Sequence, residues 1–300
     1  MNLKIKQIEK EIKALSKDNL DTSHLEKSLS ILKNEYKSKL SAWDRVQIAR
    51  ASDRPSSRFF MDEIFTNFIE LHGDRYYGDD SAVYGGIAKL RDMPVTIIGV
   101  IKGSTTEENI KNNFGMVHPE GYRKTLILMK QAEKFKRPII TFIDTPGAYP
   151  GIEAEERGQG EAIAQNLIQM MDLSVPTIAI ILGEAGSGGA LALAVSNQVW
   201  MLENSIYSIL SPEGFASILF KDASMASEVA DMMKITSKDL FELGVIDKII
   251  HEDEDVSKTV NYLEETLYRE LSVLSKQRPN KIKNDRYNRF RNIGEIIHEN

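Results

Sequence analysis

The sequence predicts an α/β domain with a buried, largely parallel sheet. Three observations carry this. Short β-rich apolar runs occur at 94–101, 138–144, 176–183, 198–202 and 206–210. Helical stretches lie between and after them, at 119–136, 154–171, 187–197 and 211–220. The runs are apolar throughout rather than alternating, as expected of strands covered on both faces. A chain of 300 residues with 42% hydrophobic and 27% charged residues has enough apolar surface to build such a core.

The elements before and after this core read differently. Ile5, Ile8, Ile12 and Leu15 recur at helical spacing, as do Leu25, Leu29, Leu32 and Tyr36. The segment "SKDNLDTS" between them holds turn and cap residues, so the N-terminus reads as a two-helix hairpin. "TVNYLEETLYRELSVLSKQ" (259–277) reads as an amphipathic helix, and the basic "RPNKIKNDRYNRFRN" (278–292) as a solvated tail. The expected division is residues 1–50 for the hairpin, 51–258 for the α/β domain and 259–300 for the C-terminal helix and basic tail.

Composition removes several classes of function. The net charge of −6 argues against nucleic acid as the main partner. Without cysteine there is no disulfide, no thiolate nucleophile and no cysteine zinc site. The histidines His24, His72, His118, His251 and His298 are scattered, so no protein-bound metal is expected. The start "MNLKIKQIEKEIKAL" is charged, unlike a signal peptide, and no apolar run approaches the ~20 residues of a membrane span. A cytoplasmic location is the expectation.

Two glycine-bearing loops follow strands directly. One is "DTPGAYPG" (144–151) and the other "GEAGSGGALALA" (183–194). In open parallel sheets chemistry collects at the carboxyl ends of strands, so the two loops suggest one site. The second loop is compatible with four readings. A P-loop fails because Gly189 and Ala190 stand where Lys and Ser/Thr are required. A dinucleotide fingerprint fails because Leu191 occupies the third glycine position. A nucleophile elbow would use Ser187, but His118 and His251 are its only candidate bases and neither has an evident base context. An oxyanion hole would use the N–H groups of Gly188 and Gly189 at a helix start, where the helix dipole adds positive potential. Glycines serving only close helix–strand packing remain the alternative to all four.

Other residues take plainer readings. Asp144 suits a turn cap better than a general base. Arg157 and Glu161, four apart, suit a structural pair. Arg123 and Lys124 suit a solvated helix face, and His118 a loop position.

Several ordered motifs then point one way. "NNFGMVHPEGYRKTLILM" (112–129), "ITFIDTPGAYPG" (140–151), "EERGQGEAIA" (155–164), "GEAGSGGALA" (183–192) and "SPEGFASILFKD" (211–222) resemble the α subunits of bacterial acetyl-CoA carboxylase carboxyltransferases, a crotonase-like family. "HGDRYYGDDSAVYGGIA" (72–88) and the terminal "KNDRYNRF" are similar to that family too. The resemblance covers essentially the whole chain and is densest over 72–250.

The resemblance implies a crotonase-like fold of repeated ββα units in a spiral. It implies transfer of a carboxyl group from carboxybiotin, held on a biotin carboxyl carrier protein, to acetyl-CoA. The product is malonyl-CoA, the committed precursor of fatty acid synthesis. It further implies an α2β2 assembly, an active site shared with a β subunit, and a zinc ribbon in that partner. The biotin ureido nitrogen acts as base, so no catalytic histidine or serine is needed. Gly188 and Gly189 become the donors for the biotin ureido oxygen, with Ser187 as N-cap. Gly147 and Tyr149 become pocket residues, by close approach and by stacking. Ala185 and Phe220 replace a glycine and a tryptophan usual in the family. Ser104 and Glu107 replace an arginine and a lysine, so no coenzyme A contact is assigned there. A crotonase-like hydratase, isomerase or thioesterase working without biotin, and a non-catalytic scaffold, are the rival expectations.

Overall fold

A computed structural model describes residues 3–17 and 20–294. His298 lies outside them. The chain opens with α1 (Leu3–Lys17) and α2 (Ser23–Ser38), which pack on each other. Ile8, Ile12 and Leu15 of α1 and Leu25, Leu29 and Leu32 of α2 are half-buried, as the spacing predicts. The side chains of Ile5 and Tyr36 lie outside the described set. Lys33 of α2 pairs with Glu254 at 2.7 Å, tying the hairpin to the body of the chain. Two short helices follow, α3 (Ala42–Ala49) and α4 (Ser57–Ile64). Ser41 caps α3 in a reciprocal box with Asp44, and Ser56 caps α4.

The strands are β1 (Thr66–Glu70), β2 (Val83–Leu90), β3 (Met93–Val100), β4 (Ile139–Thr145), β5 (Thr177–Gly186), β6 (Gln198–Leu202), β7 (Ile206–Ser208) and β8 (Lys248–Ile250). They form one sheet of order β1-β2-β3-β4-β5-β6-β8, with β7 paired to the end of β5. From β3 through β6 to β8 every pairing is parallel, as expected. The edge is antiparallel, β1 with β2 and β2 with β3, and strand β2 was not anticipated. Its signal is hidden by Gly85 and Gly86. A Cβ on Gly86 would lie 2.0 Å from the Ile69 carbonyl oxygen, so β1 approaches β2 only because that residue is glycine.

Strand residues alternate between two apolar layers. Ile98, Val100, Ile139, Ile143, Ala179 and Ile181 face one layer, and Val95, Ile97, Ile140, Phe142, Ile178 and Ile180 the other. The first layer is covered by α6 (Pro119–Lys134), α8 (Gln159–Asp172) and α9 (Ser187–Ala194). The second is covered by α4 and α13 (Val256–Leu274), through Phe60, Met61, Leu263 and Leu267. Each such large apolar side chain contributes about 1.5–3 kcal/mol on burial. In chain order the remaining helices are α5 (Thr106–Lys111), α7 (Ile152–Glu156), α10 (Pro212–Phe220), α11 (Ala226–Val229), α12 (Ser237–Glu242) and α14 (Pro279–Asn292).

The basic C-terminal segment is not a solvated tail. It forms α14, and Arg286 within it is fully buried. Its guanidinium donates to the carbonyls of Met170 at 2.9 Å, Leu173 at 2.6 Å and Val175 at 2.9 Å, and to Asn197 Oδ1 at 2.6 Å. The end of α8 leaves carbonyls without helical partners, and a cation is the natural cap for them. Composition alone does not show which arginine of a basic run turns inward.

Candidate active site

Parallel pairing of β4 with β5, reaching Thr145 opposite Ala185, places the two glycine loops side by side. They interlock through backbone. A Cβ on Gly186 would lie 2.0 Å from the Pro146 carbonyl oxygen. One on Gly189 would lie 2.5 Å from the Ala148 nitrogen and 2.6 Å from the Gly147 carbonyl carbon. Gly147 has φ +151°. The Thr145 hydroxyl accepts from its N–H at 3.0 Å and donates to its carbonyl at 2.8 Å, fixing the peptide units on both sides of Gly147.

Helix α9 starts where β5 ends, so its first N–H groups have no intrahelical acceptor. The expectation for Ser187 is corrected here. Gly186 is the N-cap, no side chain caps the helix, and Ser187 stands in the left-handed region at φ +51°. The strand turns into the helix too sharply for Ser187 to occupy the extended cap position. The two adjacent glycines differ in surroundings. A Cβ on Gly188 would meet nothing nearer than Ile163 Cγ2 at 3.8 Å, whereas Gly189 is wedged against the first loop. A Cβ on Gly188 therefore has room, in ordinary contact with Ile163, at the positive end of the helix.

The first turn of α6 builds a second wall. Val117 forms a parallel bridge with Ala148, and the Tyr149 N–H donates to the Val117 carbonyl at 3.1 Å. His118, the N-cap of α6, stacks on Tyr149 with ring centroids 4.0 Å apart. It is thus a wall residue rather than a plain loop residue. Its Nδ1 shares a hydrogen bond with Asn113 Nδ2 at 2.9 Å. His251 is highly exposed and lies beside Glu203. Neither histidine is hydrogen-bonded to Ser187.

Sequence reasoning missed two residues of this wall. Gln159 Nε2 donates to the carbonyls of Val117 at 2.9 Å and Tyr149 at 3.0 Å, clamping the two segments together. Tyr122 is fully buried, and its hydroxyl would lie 3.0 Å from a Cβ on Gly189. The only sequence signal for Gln159 is its place after Gly158, at φ +82°, in the motif "EERGQ".

The charged groups around the loops are committed to one another. Asp144 does not cap its own turn. Its Oδ1 accepts from Lys102 Nζ at 2.6 Å and from the Glu184 N–H across the sheet at 3.0 Å. Gly183 makes room for it, since a Cβ there would lie 2.6 Å from that oxygen. Glu184 pairs with Arg50 at 2.7 Å, and Arg50 reaches Glu213 of α10 at 2.7 Å.

Arg157 pairs with Glu120 at 3.0 Å, not with Glu161, which accepts from Gln165 instead. Arg157 sits at the break between α7 and α8, so four-residue helical spacing does not apply to it. Arg123 and Lys124 are not a solvated face either. Arg123 pairs with Asp74 at 2.7 Å. Lys124, 2% exposed, donates to the Val83 carbonyl and pairs with Asp79, both at 2.8 Å. Burial pushes the Asp79 carboxyl up, but Lys124, the Gly73 N–H and His72 outweigh it and bring it down to about 2.

The arrangement offers backbone donors and a positive helix end, flanked by an aromatic stack, with Asp144, Glu184 and Glu120 tied up in ion pairs. Such an arrangement can hold an oxygen that carries negative charge. Among the described residues no group of three or more His, Asp or Glu is placed to hold a metal ion. No described helix is long and apolar enough to cross a membrane.

A model of the acetyl co-enzyme A carboxylase carboxyltransferase-like family matches residues 1–294. The chain belongs to that family. An acetyl-coenzyme A carboxylase carboxyl transferase subunit alpha from Clostridium acetobutylicum is 56% identical over 268 residues, covering 88% of this chain and 98% of that protein. The subunit alpha of a Geobacillus species is 52% identical over 299 residues, covering 98% of this chain and 92% of its own. A Clostridium tetani relative named as subunits beta/alpha is 58% identical over 267 residues, and the match covers 87% of this chain and 46% of that longer protein.

Among solved structures, the transcarboxylase 12S core aligns with TM-score 0.59 and 18% identity over 74% of this chain and 44% of its own. A Pseudomonas malonate decarboxylase hetero-tetramer aligns with TM-score 0.59 and 16% identity, over 72% of this chain and 89% of its own. At these identities the likeness concerns the fold, which is the crotonase-like fold of the carboxyltransferase family.

Proposed function

We propose that this chain is the α half of an acetyl-CoA carboxyl transferase, passing a carboxyl group from carboxybiotin on a carrier protein to acetyl-CoA to give malonyl-CoA. The observation that carries the reading is the open N-terminus of α9 at Gly188, locked against the "DTPGAYPG" loop. The full-length relatives bear the name of this activity.

The residues present fit a carboxybiotin group. Gly188 leaves clear the space a Cβ would fill, so a flat ring can lie on the backbone. The N–H groups of Gly188 and Gly189 hold the ureido oxygen, and Gly147 and Tyr149 flank the ring. Carboxybiotin supplies both the transferable carboxyl group and the ureido nitrogen that takes the proton from the acetyl methyl group. This chain's side chains need not exchange that proton. Asp144 stays paired with Lys102 and His118 stays stacked on Tyr149. The chain's contribution is to position the ring and stabilise negative charge on its oxygen, an effect worth about 2.7–4 kcal/mol per donor.

The thioester is held by a β subunit, which also carries the zinc that a cysteine-free chain cannot bind through thiolates. The beta/alpha relative, which holds both names in one protein, supports such a partnership. We place the assembly in the cytoplasm as an α2β2 heterotetramer served by a biotin carboxyl carrier protein.

The test is reconstitution. The purified chain is mixed with acetyl-CoA and carboxybiotin, with and without a zinc-ribbon β subunit, and malonyl-CoA is followed. Formation only in the mixture supports the reading. Formation by the chain alone, or by neither, overturns it.

A further inference from the structure

Tyr122 lies in the first turn of α6, fully buried, and its hydroxyl has no hydrogen-bond partner. Buried polar groups in folded proteins are nearly always paired, and an unpaired hydroxyl lowers stability. The ring could fill the same space as phenylalanine, so packing does not account for the oxygen.

The position of that hydroxyl is informative. It would lie 3.0 Å from a Cβ on Gly189. In a helix the Cα–Cβ direction tilts toward the N-terminus. The phenol oxygen therefore lies beside the first turn of α9, the positive end of its dipole. The Ala148 nitrogen, 2.5 Å from the same point, shares this corner. A hydroxyl kept unpaired beside other donors is suited to an acceptor that the free chain lacks.

We propose that Tyr122 is a third hydrogen-bond donor of the site, reserved for the negatively charged oxygen received by the Gly188–Gly189 turn. This rests on the carboxybiotin reading above, in which that oxygen is the ureido oxygen. The phenol donates its proton in the hydrogen bond without losing it. Burial and the charge of Asp80 both raise its pKa, which keeps the donor protonated.

The experiment compares the wild-type complex, assembled with its β subunit, with one carrying Tyr122→Phe. Turnover, KM for acetyl-CoA, thermal midpoint and the midpoint shift given by saturating free biotin are measured. Loss of one donor to a developing negative oxygen lowers kcat about 100-fold and leaves KM within about twofold. The unliganded midpoint stays the same or rises, because the hydroxyl had no partner to lose, while the biotin-induced shift shrinks. A kcat within about threefold of wild type, a rise in KM alone, or an unchanged biotin shift overturns the proposal. So does a midpoint that falls in step with turnover, which marks a structural role. An inactive wild-type complex defeats the carboxybiotin reading and this proposal with it. An active wild type matched by an equally active Tyr122→Phe defeats only the proposal.

Discussion

Gly189 and Ala148 stand 41 residues apart in the chain, yet a single added carbon on Gly189 would come within 2.5 Å of the Ala148 nitrogen. The obstacle is backbone, which cannot rotate away as a side chain can. Gly189→Ala therefore forces the two loops apart, with a loss of about 1–3 kcal/mol in stability. Gly188→Ala finds room beside Ile163 and leaves the thermal midpoint near wild type, yet it puts a methyl group where the ring would lie. Unfolding curves and turnover for both variants check this. The expected pattern is a stability defect at Gly189 and a turnover defect without one at Gly188.

Ser187 has the exposed, left-handed conformation that a nucleophile would need, but neither plausible histidine bonds to it. Ser187→Ala keeps turnover within about threefold of wild type in the assembled complex, since no covalent step passes through the hydroxyl. Loss of activity by several orders of magnitude would restore the nucleophile reading.

Arg286 binds carbonyls of Met170, Leu173 and Val175 at the end of α8. Arg286→Ala leaves them buried without donors and opens a cavity, lowering stability by about 3 kcal/mol or more. Denaturant unfolding reads this directly. The site lies at the other end of α8, so protein that remains folded retains its turnover.

Asp79 has a folded-state pKa of about 2 against an ordinary value of 3.8. The folded chain binds fewer protons than the unfolded one between these values. The stability contributed by Asp79 is therefore fully present above pH 3.8 and is lost as pH falls toward 2. Asp79→Asn is less stable than wild type at neutral pH, and its stability declines less steeply over this acid range. Urea unfolding of both proteins at a series of pH values measures the difference.

The parallel core was legible because β3, β4 and β5 are apolar on both faces, a pattern that only a covered sheet explains. The antiparallel pair β1–β2 was not, because its close pairing depends on Gly86, a residue that ordinarily argues against a strand. The glycine loops were readable as neighbours from topology alone. The different surroundings of Gly188 and Gly189 were not, since they depend on which side of α9 meets Ala148. Charged residues were the least legible. Lys124, Arg157 and Arg286 all stand in polar stretches, and their partners Asp79, Glu120 and the α8 carbonyls come from distant parts of the chain. Local spacing carries no information about such partners.

The most direct test of the central claim follows a labelled carboxyl group. Carboxybiotin labelled in its carboxyl carbon is given to the assembled complex with acetyl-CoA, using wild type and Gly188→Pro, which lacks one N–H donor. The account predicts label in malonyl-CoA with wild type and a loss of at least about 100-fold in its rate of appearance with Gly188→Pro, at equal assembly. Equal transfer by the two complexes would contradict it.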